Sequence, residues 1–220
     1  GEGIMIGLLG GFRAITADFL WVRTNAVWED RDLPATQTLI RLVTTVDSRP
    51  LLFWINGARM IGYDMPVWRL ESLVREAGGV PAVVERRIVA EQTEAALRLL
   101  ARAQTYHPDE PRLVIEMANL RHRKLGDLAG AAELYRQAAM LPGAPYYAAR
   151  IYGEMLRQLG REREAYAWLV DVHRRLPTND PMALPEIVLG RIRALEDQLR
   201  IPDAERYRPI AEPPAPRPGG

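Results

Sequence analysis

Apolar residues recur at intervals of three and four through most of the chain, the spacing of one face of a helix. No stretch alternates apolar and polar residues as a half-buried strand would. The pattern predicts an all-α fold, with helices from about residue 8 to residue 200. At the start, residues 4–12 (IMIGLLGGF) are apolar but stop at Arg13. Nine residues cannot cross a bilayer, which takes roughly 20. Two readings stay open: the buried first turn of a helix running through residues 14–23, or the stump of a membrane anchor. The first residue is Gly1 rather than Met, which fits a processed or truncated product. At the other end, residues 186–201 (EIVLGRIRALEDQLRI) carry Ile187, Leu189, Ile192, Leu195 and Leu199 near helical spacing. Such a helix would cover the last apolar face of a helical array. The Pro-rich residues 201–220 are expected to be a disordered tail.

Within the helical region one pattern repeats. Ala96, Leu100, Ala103 and Pro108 follow A-x3-L-x2-A-x4-P, and Ala131, Tyr135, Ala138 and Pro142 repeat it with the proline one residue early. Ala165, Leu169, Val172 and Pro177 repeat it again. The first alanines are 35 and then 34 residues apart, and Gly126-Asp127 precedes Gly160-Arg161 by 34. Small residues let paired helices approach, a bulky one between them fills the gap, and proline ends the helix. Trp54, Gly57-Ala58 and Ile61 open an earlier unit that closes at Pro108. That interval is too long for one repeat, so an insertion is expected at residues 65–80: a short helix closed by Gly78-Gly79. A degenerate first unit, residues 17–50, aligns Thr38, Leu42 and Thr45 with the pattern.

These spacings resemble the tetratricopeptide repeat (TPR), a helix–turn–helix unit of 34 residues with the pattern W-x2-L-G-x2-Y…A-x3-F…P. The resemblance covers residues 17–200 and implies a right-handed helical solenoid of about four helix pairs, with residues 13–200 as its body and a C-terminal capping helix. The run GGFRAITADFLWVRTNAVWED, followed by WINGARMIGYDM, is similar to a group of bacterial TPR proteins that carry an N-terminal membrane helix. That likeness implies a bacterial, membrane-associated protein, on either face of the membrane. It implies no reaction.

Composition narrows the function classes. The chain has 220 residues, 48% hydrophobic and 26% charged, which is ordinary globular chemistry. A net charge of +1 supplies no field to recruit nucleic acid, and zero cysteines exclude thiol catalysis and Cys-ligated metals. No nucleophile–base motif, Zn-binding H-E-x-x-H or phosphate loop occurs. His107, His122 and His173 occupy different repeat positions, which argues against a shared metal. Glu29, Asp30 and Asp32 read as a solvated turn. The basic run Arg121–Lys124 reads as a helix end, where positive charge complements the dipole. No cofactor and no enzymatic activity are expected. Phe12, Phe19, Trp21, Trp28, Phe53, Trp54, Tyr63 and Trp68 crowd the first third, either as core or as a face that docks another subunit.

In a TPR array the first helix of each pair lines the groove. The groove positions fall at Arg59 and Tyr63, at Leu113, Glu116, Leu120, Arg123 and Lys124, and at Tyr147, Arg150, Glu154 and Arg157. Five are basic and two acidic, which suits an acidic partner peptide. The residues some TPR domains use to clamp a C-terminal carboxylate are absent; those positions read Ile55, Arg59, Glu116, Leu120, Arg150 and Glu154. The function expected is a protein-interaction scaffold with Arg59, Tyr63, Arg123, Lys124, Tyr147, Arg150 and Arg157 as partner-binding residues. A soluble adaptor or chaperone-like module is the alternative, and a small-molecule binder or enzyme the more distant one.

Overall fold

The computed structural model describes residues 2–177 and 179–209, with the backbone alone for residues 2–9. Among the described residues there are nine helices and no strand. They are α1 (Glu2–Glu29), α2 (Leu33–Val46), α3 (residues 51–77), α4 (Ala82–Gln104), α5 (residues 111–125), α6 (Leu128–Met140), α7 (Tyr146–Gln158), α8 (Glu162–Arg175) and α9 (Pro185–Gln198). The architecture is compatible with a helical repeat fold. The chain forms two compact units, which divide between Ala144 and Pro145.

In the first unit, α1 packs on α2, α3 on α4 and α5 on α6, each pair joined by a short turn. In the second, α7 packs on α8 and α8 on α9. The repeated pattern marks the buried face each time. Ala96, Leu100 and Ala103 are fully buried, as are Ala131 and Ala138 around Tyr135, and Ala165, Leu169 and Val172 are buried as well. Pro108, Pro142 and Pro177 each lie just beyond the end of a helix. The repeated glycines serve alike: Gly126 and Gly160 adopt φ of 65° and 72°, left-handed backbone that an L side chain resists. The residues after them differ. Asp127 caps α6 by accepting the Gly130 N–H at 2.8 Å, whereas Arg161 makes no such cap.

Two expectations need correcting. The insertion at residues 65–80 is helical and closes at Gly78 as expected, but it is continuous with the helix before it. Helix α3 runs through it, by way of a π turn at Met60–Asp64, to a left-handed cap at Gly78. The extra residues therefore lengthen both helices of one hairpin. In the degenerate first unit, Thr38, Leu42 and Thr45 are exposed, and the buried face carries Thr36, Ile40 and Val43. These follow the same A-x3-L-x2-A spacing two residues earlier. Thr44 is buried too, its hydroxyl satisfied by the Ile40 carbonyl at 2.9 Å. Leu42 points to the wrong face, because apolar identity alone does not set helix phase.

Close approach explains two glycines. A Cβ on Gly57 would meet Ile40 at 2.7 Å, and one on Gly62 would meet Leu120 at 2.6 Å. The core of the first unit gathers there, around the fully buried Trp54, whose indole donates to the Ser48 carbonyl at 2.9 Å. His107 reaches the same carbonyl at 2.8 Å.

The aromatic crowd divides. Trp21 and Phe53 pack at 5.2 Å between ring centroids, and Trp28 lies 6.5 Å from Trp68 while donating to Asp64 at 2.9 Å. Phe12 and Phe19, by contrast, are exposed. No described helix is long and apolar enough to cross a membrane.

The tail expected from residue 201 is packed against α8 and α9 as far as Tyr207. Tyr207 is buried, its hydroxyl lies 3.0 Å from His173 Nδ1, and its backbone N–H donates to Glu196 at 2.7 Å. Residues 210–220, the Pro-rich remainder, lie outside the described residues. In α9 the buried stripe is Val188, Ile192 and Leu195, while Ile187, assigned above to the covering face, is exposed.

Candidate functional site

Both first helices of the first unit's later hairpins carry a π turn where their candidate residues sit. In α3 the turn spans Met60–Asp64 and includes Tyr63; in α5 it spans Arg121–Leu125 and includes Arg123 and Lys124. A π turn takes in one extra residue, so everything after it is rotated by about 100° relative to a continuing α-helix. That rotation re-aims the side chains. Helix α5 then ends at Gly126, whose N–H returns to the Arg121 carbonyl.

The result is a compact cluster. Arg59 donates from Nε and Nη2 to one oxygen of Glu116, at 3.0 and 2.7 Å. The Glu116 carboxylate is almost wholly buried, with 4% of its side chain exposed, whereas Arg59 keeps its outer edge in solvent. Such a pairing fixes the orientation of the guanidinium. Lys124 sits over the Tyr63 ring, 4.9 Å from its centroid, a cation–π contact. Burial raises the Tyr63 phenol above its ordinary pKa, and the Glu116 carboxylate raises it further against the opposing pull of Arg123 and Arg59. The phenol is therefore a neutral donor at physiological pH. Three cations and one carboxylate thus act on one half-buried phenol.

Of the groove positions predicted in the first unit, Arg59 meets Glu116 and Lys124 meets Tyr63, while Arg123 acts on the Tyr63 phenol through its charge. Leu113 and Leu120 do not line a surface, being fully buried core. In the second unit the predicted residues are engaged differently. Arg150 donates to the Ala183 carbonyl at 3.1 Å, and Arg191 of α9 donates to the Arg150 carbonyl at 3.1 Å. Desolvation there, reinforced by Arg191, lowers the Arg150 pKa. Arg150 thus fastens the segment before α9. Arg157 grips Glu154 through Nε and Nη2 at 3.0 and 2.6 Å, which holds that carboxyl below its usual range despite partial burial. Tyr147 remains 42% exposed.

Sequence reasoning missed a second basic surface. Arg41 of α2 and Arg98 and Arg102 of α4 rim a depression floored by Ile61, Ala95 and Leu99. Arg102 donates to the Thr45 hydroxyl at 3.0 Å and lies 5.6 Å from the Trp54 centroid. The i, i+4 spacing of Arg98 and Arg102 was available in the sequence; their juxtaposition with Arg41 was not. Among the described residues no three His, Asp or Glu side chains are arranged to hold a metal.

Comparison of the chain with protein-family models and with curated proteins returns no match.

Proposed function

We propose that this protein is a non-enzymatic interaction scaffold. Its helix pairs are TPR-like repeats, and it holds an acidic segment of a partner protein at the cluster around Tyr63. The observation that carries this reading is Lys124 seated over the half-buried Tyr63 ring, beside the Arg59–Glu116 pair and with the charge of Arg123 acting on the same phenol. An incoming carboxylate would gain charge-assisted hydrogen bonds from the guanidinium of Arg123, while the apolar ring edge shields them from water. Glu116 has a positioning role, keeping the Arg59 fork in place. The family resemblance adds a bacterial, envelope-associated setting to this proposal.

A display library of random peptides panned against the chain tests the reading. The enriched peptides should be rich in Asp and Glu. Arg123→Glu combined with Lys124→Glu should weaken the best of them at least about tenfold, with helical content unchanged. Enrichment of basic or purely apolar peptides, or binding indifferent to the double variant, would overturn it.

A further inference from the structure

Helix α1 has two apolar faces. One packs on the rest of the first unit, burying Ala17 and Thr24 and half-burying Leu20, Trp21 and Trp28. On the other, Phe12, Ile15, Phe19 and Val22 stand 71%, 70%, 72% and 68% exposed. Their 3-4-3 spacing is that of the a and d positions of a heptad. Upstream, the sequence places Met5 and Leu8 in the same register. At 100° per residue the centres of the two faces lie about 160° apart. The body of the molecule is therefore attached through positions b, c and f, which leaves the a/d seam and its e and g flanks open.

The flanks are charged in a complementary way. Asp18 occupies g and Arg23 occupies the following e; both are exposed, and neither side chain makes a hydrogen bond or ion pair among the described residues. In a parallel two-stranded coiled coil, a g residue faces the e residue five positions later on the partner. Asp18 and Arg23 have that separation. Charges of both signs beside the stripe fit a protein seam rather than a lipid surface.

We infer that α1 pairs with α1 of a second copy of this chain in a parallel, in-register coiled coil. Phe12, Ile15, Phe19 and Val22 form its core layers, and Asp18 of each copy faces Arg23 of the other. This interface is distinct from the peptide-binding cluster, and either assignment stands without the other.

Sedimentation equilibrium on the whole chain should give twice the chain mass. Phe12→Glu with Phe19→Glu should return the monomer with an unchanged helical spectrum, since both side chains are exposed. Asp18→Arg alone and Arg23→Asp alone should each loosen the dimer about threefold, and the two together should restore it. Direction has its own test, because the chain contains no cysteine. Val22→Cys should form a disulfide between copies under mild oxidation, which only a parallel, in-register seam permits. A monomer at every concentration, a dimer that survives both glutamates, or a dimer in which Val22→Cys fails to cross-link would overturn the inference. So would a monomer that floats with anionic phospholipid vesicles, which would assign the stripe to a membrane surface instead.

Discussion

The first and last helices of this chain solve the same problem in opposite ways. A helix with packed neighbours on one side only has a face that no further helix covers. At the C-terminal end, α9 is covered by its own chain: residues 202–207 fold back, Tyr207 is buried, and Glu196 collects the Tyr207 N–H at 2.7 Å, Arg193 at 2.7 Å and the Tyr166 hydroxyl at 3.3 Å. Arg206 adds an ion pair to Asp197 at 2.8 Å and a bond to the Ile201 carbonyl at 3.2 Å. At the other end, α1 leaves four large apolar side chains in water. Two of them are phenylalanines, which carry a large hydrophobic cost. One terminal helix is covered through a buried polar network, and the other keeps an exposed apolar stripe.

The most severe way to break that comparison is to open the closed end. Glu196 is fully buried, and burial alone would raise its pKa. The bonds from Arg193, Tyr207 and Tyr166 outweigh burial and hold the carboxyl below its ordinary value. Glu196→Ala removes the shared acceptor and should cost about 3 kcal/mol, the lower end for breaking a buried pair, because Arg193 retains contact with solvent. Hydrogen exchange read by mass spectrometry should show residues 202–209 losing protection by about two orders of magnitude, while the first unit is unaffected. Undiminished protection of Tyr207 would mean that the apolar contacts of its ring close this end unaided.

A milder perturbation titrates the same latch. Desolvation lowers the His173 pKa, with Arg193 acting in the same direction and Glu186 against both. The folded state therefore favours neutral imidazole. The stability this confers is present above the unfolded value of about 6.5 and is lost as pH falls from there through the lower folded value. Glu196 contributes a second acid loss, which begins below the ordinary carboxyl value and continues through its depressed one. Thermal stability should accordingly fall in two acid steps, and His173→Gln should lack the upper one. Tyr207→Phe, which removes only the hydroxyl that meets His173, should cost about 1 kcal/mol at neutral pH.

These contrasts bear on how much was legible in the sequence. The helical class and the buried faces Ala96–Leu100–Ala103 of α4, Ala131–Tyr135–Ala138 of α6 and Ala165–Leu169–Val172 of α8 were readable, because periodicity and small-residue spacing are local properties. Three features were not. The phase of α2 could not be taken from Leu42, since Thr36 and Thr44 are buried polar residues whose hydroxyls bond to helix carbonyls and so imitate apolar ones. The π turns at residues 60–64 and 121–125 have no composition signature, yet they carry Tyr63, Arg123 and Lys124. Tyr207 lies among prolines and charges, and its burial depends on partners 11 and 34 residues away. Of the candidate site, the residue types were legible and the clustering around Tyr63 was not, because Glu116 and Arg59 meet across 57 residues.

The smallest expected effect is the one that sharpens the comparison most. Phe19 is 72% exposed, so its ring gains little from folding of the monomer. Phe19→Ser should change the unfolding free energy of dilute chain by no more than about 0.5 kcal/mol, the usual range for a surface position. Serine and phenylalanine have nearly equal helix propensities, and a ring this exposed meets water in the folded and unfolded states alike, so no large term remains. The diagnostic quantity is concentration dependence. If α1 is a seam between copies, wild-type Tm should rise with protein concentration by mass action, and Phe19→Ser should flatten that dependence while leaving the dilute-limit Tm in place. A large loss at high dilution would instead mean that the ring is held against its own unit, and the two ends of the chain would then be closed alike.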